Sequence, residues 1–257
     1  MVILMRSPLC YVGGKSRLAK SIIEEMPDHE TYAEVFAGGC WVLFTKEPSR
    51  YEAINDIHSD LVAFWRVIRH HIEEFCKQFR FLLVSREWFE DYKRQAEAGG
   101  LTDIQRAARF YYLQRCGFGG KVVGRVFGGG PLRHPRINLM RMEEELSEVH
   151  MRLTHVLIEH LPWDEFIRRY DRPSTLFYLD PPYHGYERYY GEHFARPDFV
   201  RVADLLATIQ GKFVLSINDV PEIREVFKAF RLRRVKTAYS LAKDTSKQVS
   251  ELVIRNF

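Results

Sequence analysis

The chain has 257 residues, 46% of them hydrophobic and 28% charged, with a formal net charge of +4. That length suits one large domain or a core carrying a sizeable insertion; no run approaches the roughly 18 apolar residues of a membrane span and no basic-then-apolar leader opens the chain, so a cytoplasmic protein without membrane contact is expected. Four scattered cysteines (Cys10, Cys40, Cys76 and Cys116) with no C-x-x-C pair argue against a disulfide framework and against a zinc site.

In chain order, "TYAEVF" (31–36) and "YEAIND" (51–56) predict short strands. Between them lie a Gly-Gly turn and a short helix candidate, "CWVLFTK", which makes a strand, turn, helix, strand unit. From Ile57 to about Arg115 the apolar residues take helical spacing, in "LVAFWRVIRHHIEEFCKQFRFLL" and "IQRAARFYYLQR", and predict a helical insertion. A glycine-rich loop follows, then the helix "NLMRMEEELSEVHMRLTH". Strands return in "VLIEHL", "TLFYLD", "FVLSIND", "LRRVKTAY" and "VSELVIRNF". Helix candidates separate most of them, so the expected architecture is a mixed α/β sheet with a nearly parallel centre. Only "SLAKDTSK" divides the last two strands, which predicts an antiparallel hairpin at one edge.

Basic charge concentrates in one stretch. Between Leu101 and Met142 stand Arg106, Arg109, Arg115, Lys121, Arg125, Arg133, Arg136 and Arg141 against the single acid Asp103, together with seven of the sixteen glycines. Cations interleaved with Phe110, Tyr111, Tyr112, Phe118 and Phe127 on a flexible loop suit phosphate contacts combined with base contacts or wedging. A solvated basic loop is the plain alternative.

In open α/β sheets ligands bind outside the carboxyl ends of the strands, and three polar clusters fall there. "EVFAGGC" (34–40) runs a strand into a glycine turn. Asp56 ends the next strand 17 residues after Gly39, near the distance at which an acid accepts from ribose hydroxyls in nucleotide-binding units. Asp180 ends a third strand and is followed by Pro181, Pro182 and Tyr183.

These motifs resemble those of the Dam-type DNA adenine-N6 methyltransferases. "CYVGGKSRL" (10–18) is similar to that family's Gly-Gly-Lys motif, "EVFAGGC" to its Phe-x-Gly-x-Gly motif, "NDIHSDL" (55–61) to its Asp-Ile-Asn-x-Asp-Leu segment, "DPPY" (180–183) to its catalytic tetrapeptide and "ELVIRNF" to its closing strand. The motif order matches the family's as well, which is more specific than DPPY alone. The resemblance implies a Rossmann-like, S-adenosylmethionine-dependent methyltransferase sheet, mostly parallel with an antiparallel C-terminal hairpin. It divides the chain into a catalytic domain of residues 1–56 and 149–257 and a helical target-recognition domain of residues 57–148. S-adenosylmethionine (SAM) is the expected cofactor, S-adenosylhomocysteine the product, and no metal takes part. The partner is double-stranded DNA and a monomer suffices; in the family's restriction-modification setting a cognate nuclease would leave no trace in this chain.

The resemblance also assigns residues. Tyr11 and Lys15 would approach the cofactor, Glu34, Phe36 and Gly38 would line its methionine end, Asp56 would hold the ribose, and Asp164 of "WDEF" would sit near the adenine with Phe166. Cys40 stands where the motif has its third glycine. Arg115, Phe118, Lys121, Arg125, Phe127 and Arg133 are the candidates for DNA contact. The chemistry supports the catalytic set: the lone pair of adenine N6 is delocalised into the ring, and two acceptors, Asp180 and the Pro181 carbonyl, can draw its N–H groups out of plane, proline adding no competing N–H. Pro182 completes the tetrapeptide, and Tyr183 would stack on the flipped base, a role that asks for a π face and not for the hydroxyl. Transfer would be a direct displacement, its rate owed to positioning. An RNA amino-group methyltransferase would share the sheet and DPPY, and a cytosine-N4 target on DNA is chemically close.

Overall fold

The computed structural model describes residues 5–96, 99–132, 134–187, 194–238 and 248–257. The candidate contact Arg133 lies outside them. Seven strands form one sheet: β1 (Thr31–Glu34), β2 (Tyr51–Asn55), β3 (Val156–Glu159), β4 (Thr175–Leu179), β5 (Lys212–Asn218), β6 (Arg231–Ala238) and β7 (Gln248–Arg255). Their spatial order is β3, β2, β1, β4, β5, β7, β6. The first five run parallel, and β7 pairs antiparallel with both β5 and β6. The chain order reverses between β1 and β4, which opens a crevice at the carboxyl ends of those two strands, the usual place for a ligand in a doubly wound sheet.

The side-chain period of two explains how the sheet is covered. Tyr32, Ile54, Leu176, Tyr178, Val214 and Val253 face one apolar cluster, while Ala33, Ala53, Phe177, Phe213, Leu215 and Leu252 face the other. The strand β4 is buried along its whole length, as a central parallel strand covered on both faces must be. Over the first face lie α1 (Ala19–Ile23), α2 (Trp41–Thr45), α3 (Ser59–His70), α4 (Ile72–Lys77), α6 (Asp103–Cys116) and α7 (Met142–Leu153). Over the second lie α8 (Trp163–Tyr170), α9 (Arg196–Leu206) and α10 (Pro221–Val226). Among the described residues no helix is long and apolar enough to cross a membrane.

The helices that follow β2 share the core of the first face. Phe64 of α3 stacks on Tyr111 of α6 at 5.6 Å, and Asp60 ties the same pair of helices by accepting from Arg106 at 2.9 Å and from Arg109. The strong start of α6 comes from a capping box in which Thr102 and Gln105 satisfy each other's backbone N–H groups. Sequence periodicity passed over α5 (Arg86–Gln95), whose cap is Ser85 accepting from the Trp88 N–H at 3.1 Å. A serine followed by an acid within the next turn was the available signal.

Candidate active site

The crevice is a cavity of about 300 Å³ walled by the ends of β1, β2 and β4, the loop 11–15, and the start of α8. Its first wall is the glycine turn after β1. Gly38 takes a positive φ of 45°, and a Cβ there would lie 3.2 Å from the Tyr11 ring, so a side chain would meet both backbone strain and a crowded ring, and glycine avoids both. Asp56 closes the turn from β2: its two carboxylate oxygens accept the Gly38 N–H and the His58 N–H, each at 2.9 Å. Each oxygen retains a second lone pair for another donor. Cys40, which caps α2, adopts a left-handed backbone with φ 51° and ψ 36°. That conformation is why the motif's third position suits glycine.

The second wall carries charge. Lys15, 3% exposed, reaches from the N-terminal loop and donates to Asp180 Oδ1 at 2.5 Å, to the Gly13 carbonyl at 3.0 Å and to the Tyr183 hydroxyl at 2.9 Å. The Tyr183 hydroxyl in turn donates to Glu251 Oε1 at 2.6 Å, and Glu251 Oε2 lies 3.9 Å from Lys15 Nζ. Ser216 of β5 makes a longer bond to Asp180 Oδ1, 3.4 Å. Among the described residues both bonds to Asp180 land on Oδ1, and Oδ2 remains for a ligand. Burial pushes the Asp180 carboxyl up to about 6, against the lowering influence of Lys15. Burial likewise pushes Glu34 up to about 8, despite a hydrogen bond received from the Tyr32 hydroxyl at 2.8 Å. Pro181 and Pro182 are buried, and Asn218 holds the turn beyond them by bonding both backbone groups of His184.

The third wall is aromatic. Trp163, Phe36 and Phe194 line it, with Phe36 and Phe194 edge to face at 5.7 Å. Asp164 lines the cavity too, paired to Arg168 at 2.7 Å. Phe166 turns into the core beneath the sheet and is fully buried. The structure therefore gathers Tyr11, Lys15, Glu34, Phe36, Gly38, Asp56, Asp164 and Asp180 around one cavity. Tyr183 stands behind Lys15, 8% exposed, and its hydroxyl, to which a stacking role assigns no part, is bonded on both sides. Glu251 and Trp163 were missed by sequence reasoning. A carboxylate inside the apolar strand "ELVIRNF" was a usable signal for Glu251; Trp163 offered none beyond its place next to Asp164.

The basic, glycine-rich stretch forms a narrow hairpin after α6. Phe118 N–H donates to the Val126 carbonyl at 2.8 Å and Gly128 N–H to the Cys116 carbonyl at 2.7 Å. Its base docks on the N-terminal loop, where the Val12 N–H donates to the Gly120 carbonyl at 3.0 Å. Phe118 is 46% exposed. Phe127 instead packs on Phe89 of α5 at 5.5 Å with the Arg86 guanidinium over its ring. Arg115 donates to the Pro8 carbonyl at 3.1 Å. Arg125 folds inward over the Phe110 ring, donates to the Lys121 carbonyl at 3.2 Å, and is lowered by burial to about 10.

Residues 11–241 match the family of D12 class N6 adenine-specific DNA methyltransferases. The chain belongs to this family. It is a DNA adenine methyltransferase, and the crevice between β1 and β4 is its candidate active site. Similar relatives span nearly the whole chain. A type II methyltransferase, M.CviBI of Paramecium bursaria Chlorella virus NC1A, is 24% identical over 262 residues, covering 98% of this chain and 100% of the relative. A second type II enzyme, M1.LlaDCHI of Lactococcus lactis subsp. cremoris, is 25% identical with 96% and 94% covered. The DNA adenine methylase of Salmonella typhi is also 25% identical, again with 96% and 94% covered. The methyltransferase order of the sheet, with an antiparallel hairpin closing one edge, agrees with this membership.

Proposed function

We propose that this methyltransferase binds SAM in the crevice and presents a flipped adenine of double-stranded DNA to Asp180, acting in the cytoplasm as a monomer. The observation that carries the reading is a carboxylate at a strand end with one oxygen engaged by Lys15, inside a cavity whose other walls suit an adenosyl group. Asp56 keeps a lone pair on each oxygen for ribose hydroxyls while anchored by two backbone N–H groups, and Trp163 and Phe36 offer apolar faces. A cavity of this size, apolar on one wall and carrying Lys15, Asp56 and Asp180 on the others, is a common form of ligand pocket. SAM supplies an activated methyl on sulfur; everything else falls to the chain.

Asp180 Oδ2 and the Pro181 carbonyl accept the two N6–H groups and turn the amino lone pair toward the incoming methyl. Lys15 keeps Oδ1 occupied, so the carboxylate has one orientation. Tyr11 and the Gly38 turn fit against each other beside the cavity, and Glu34 and Asp164 complete its polar lining. The target-recognition region, residues 57–148, brings DNA to the crevice: Lys121 and Arg133 are its phosphate contacts, Arg115 and Arg125 brace the hairpin that carries them, and Phe118, an exposed ring of the hairpin, is the wedge that replaces the flipped base. Phe127 supports the hairpin from within.

The test is incubation with labelled SAM and unmethylated duplex DNA, followed by nucleoside analysis by mass spectrometry. N6-methyladenine is the expected product. Label appearing in N4-methylcytosine, or in RNA and not DNA, would overturn the assignment.

A further inference from the structure

Glu251 sits on β7, two strands from the reacting carboxylate, and is 1% exposed. A buried carboxylate in the middle of an apolar strand is costly unless a cation or strong donors answer it. Among the described residues the answer comes from the active site: the Tyr183 hydroxyl donates to Oε1 at 2.6 Å, and Lys15 Nζ lies 3.9 Å from Oε2. Lys15 also donates to the same hydroxyl and to Asp180 Oδ1, and its ammonium stands 4.7 Å from the Tyr183 ring centroid. Four side chains from three distant parts of the sequence thus form one connected chain, Glu251 to Tyr183 to Lys15 to Asp180.

We infer that Glu251 is a positioning residue for methyl transfer: through the Tyr183 hydroxyl and the Lys15 ammonium it holds Asp180 with Oδ1 engaged and Oδ2 presented to the substrate. The inference rests on the reading of Asp180 as the acceptor of N6–H. Two carboxylates share one ammonium in this arrangement. The ammonium stays on Asp180, at 2.5 Å, while Glu251 at 3.9 Å shares part of its charge. Among the described residues the groups that face Asp180 are Lys15 from the N-terminal loop, Glu34 at the end of β1, Tyr178 on β4, Ser216 on β5 and Glu251 on β7. Lys15 and Ser216 lower its proton affinity, and the Glu251 charge raises it. Tyr183 is pinned at the same time, its ring held behind Lys15.

The experiment compares Glu251→Gln, Tyr183→Phe and the double variant with the wild-type enzyme and with Asp180→Ala. Single-turnover transfer to unmethylated genomic DNA, SAM affinity by calorimetry, and the pH dependence of the rate are measured. Glutamine keeps the shape and an acceptor for the Tyr183 hydroxyl but removes the charge. It should slow transfer tenfold or more, leave the SAM dissociation constant within threefold, and move the acid limb of the pH profile to lower pH, because the charge that raised Asp180 is gone. Tyr183→Phe should slow transfer similarly, and the double variant should be no worse than the worse single one, since both break the same chain.

A wild-type rate and acid limb in Glu251→Gln, or losses that multiply in the double variant, would overturn the inference. If Glu251→Gln does not fold, Tyr183→Phe decides alone: an unchanged rate overturns the inference, and a tenfold loss with SAM binding intact upholds it. Asp180→Ala separates the two levels. An active Asp180→Ala enzyme sinks the reading of the site, and this inference with it; an inactive one beside a fully active Glu251→Gln sinks the inference alone.

Discussion

Asp180 works under opposed influences, with burial raising its carboxyl to about 6 and Lys15 pulling the other way. A protonated carboxyl cannot accept an N6–H on the oxygen that carries its own proton, so transfer should be complete above this value and lost as pH falls through about 6. A pH profile of single-turnover rates would show it, and a flat profile down to pH 5 would contradict it. Asp180→Ala should cost a factor of about 100 or more in rate, the usual worth of a positioned partner at a reacting atom, with SAM binding nearly intact. Cys40 poses a different residue-scale question. Its left-handed backbone costs an L-residue roughly 1–2 kcal/mol, and burial raises its thiol well above the ordinary value, so it is an inert packing group. Cys40→Gly removes the strain whereas Cys40→Ala keeps it and still loses the sulfur. The glycine variant should be the more stable of the two by about 1 kcal/mol in urea unfolding, the reverse of the usual order at a buried position.

Two elements owe their placement to single residues. The glycine turn after β1 is held by Asp56, whose oxygens receive two backbone N–H groups. Asp56→Ala should weaken SAM binding by about 1.5 to 3 kcal/mol through lost charge-assisted bonds. Asp56→Asn should not restore it, because one end of an amide would face an N–H with another N–H. Calorimetry on both variants checks this, and an unchanged dissociation constant would reduce Asp56 to a turn-holder. The hairpin after α6 is seated by Gly120, at φ 65°, where a Cβ would lie 2.6 Å from the Cys10 carbonyl oxygen. Gly120→Ala must push hairpin and N-terminal loop apart, at about 1–3 kcal/mol. Its expected signature is weaker DNA binding. A variant with wild-type DNA affinity would show that the docking has no part in recognition.

At the scale of the whole molecule, the basic stretch reads differently in three dimensions than along the chain. Arg106 and Arg109 are engaged by Asp60, and Arg115 by the Pro8 carbonyl. Several cations of the positive pole thus hold the protein together as well as bearing charge. Arg125, folded over Phe110, braces the hairpin. Arg125→Ala should therefore weaken DNA binding alike on all sequences, leaving the slope of affinity against salt nearly unchanged, whereas loss of a phosphate contact would reduce that slope by about one. Relaxed specificity at one base pair would instead show that Arg125 leaves its ring to read a base. With few polar side chains on the hairpin able to reach base edges, a short or relaxed target is expected. Long-read mapping of methylated adenines on a plasmid tests the breadth, and modification confined to one motif of about four or more base pairs would refute it.

The sequence by itself determined the sheet and the motifs at its rim. Period-two and period-3.6 apolar spacing and the glycine turn are local properties, and the order of "EVFAGGC", "NDIHSDL" and "DPPY" along the chain is enough to place Glu34, Asp56 and Asp180 at strand ends. The short helix α5 escaped because its apolar residues are few, although its cap, Ser85, offers a start signal. Only the tertiary structure decided who faces whom. The Lys15 to Asp180 bond joins residues 165 positions apart, and the Tyr183 to Glu251 bond joins residues 68 apart; no spacing rule reaches across such gaps. The same holds for the two rings of the hairpin, Phe118 outward and Phe127 against Phe89. In sequence both are aromatic residues beside glycine. How far each is exposed depends on what the fold packs against it.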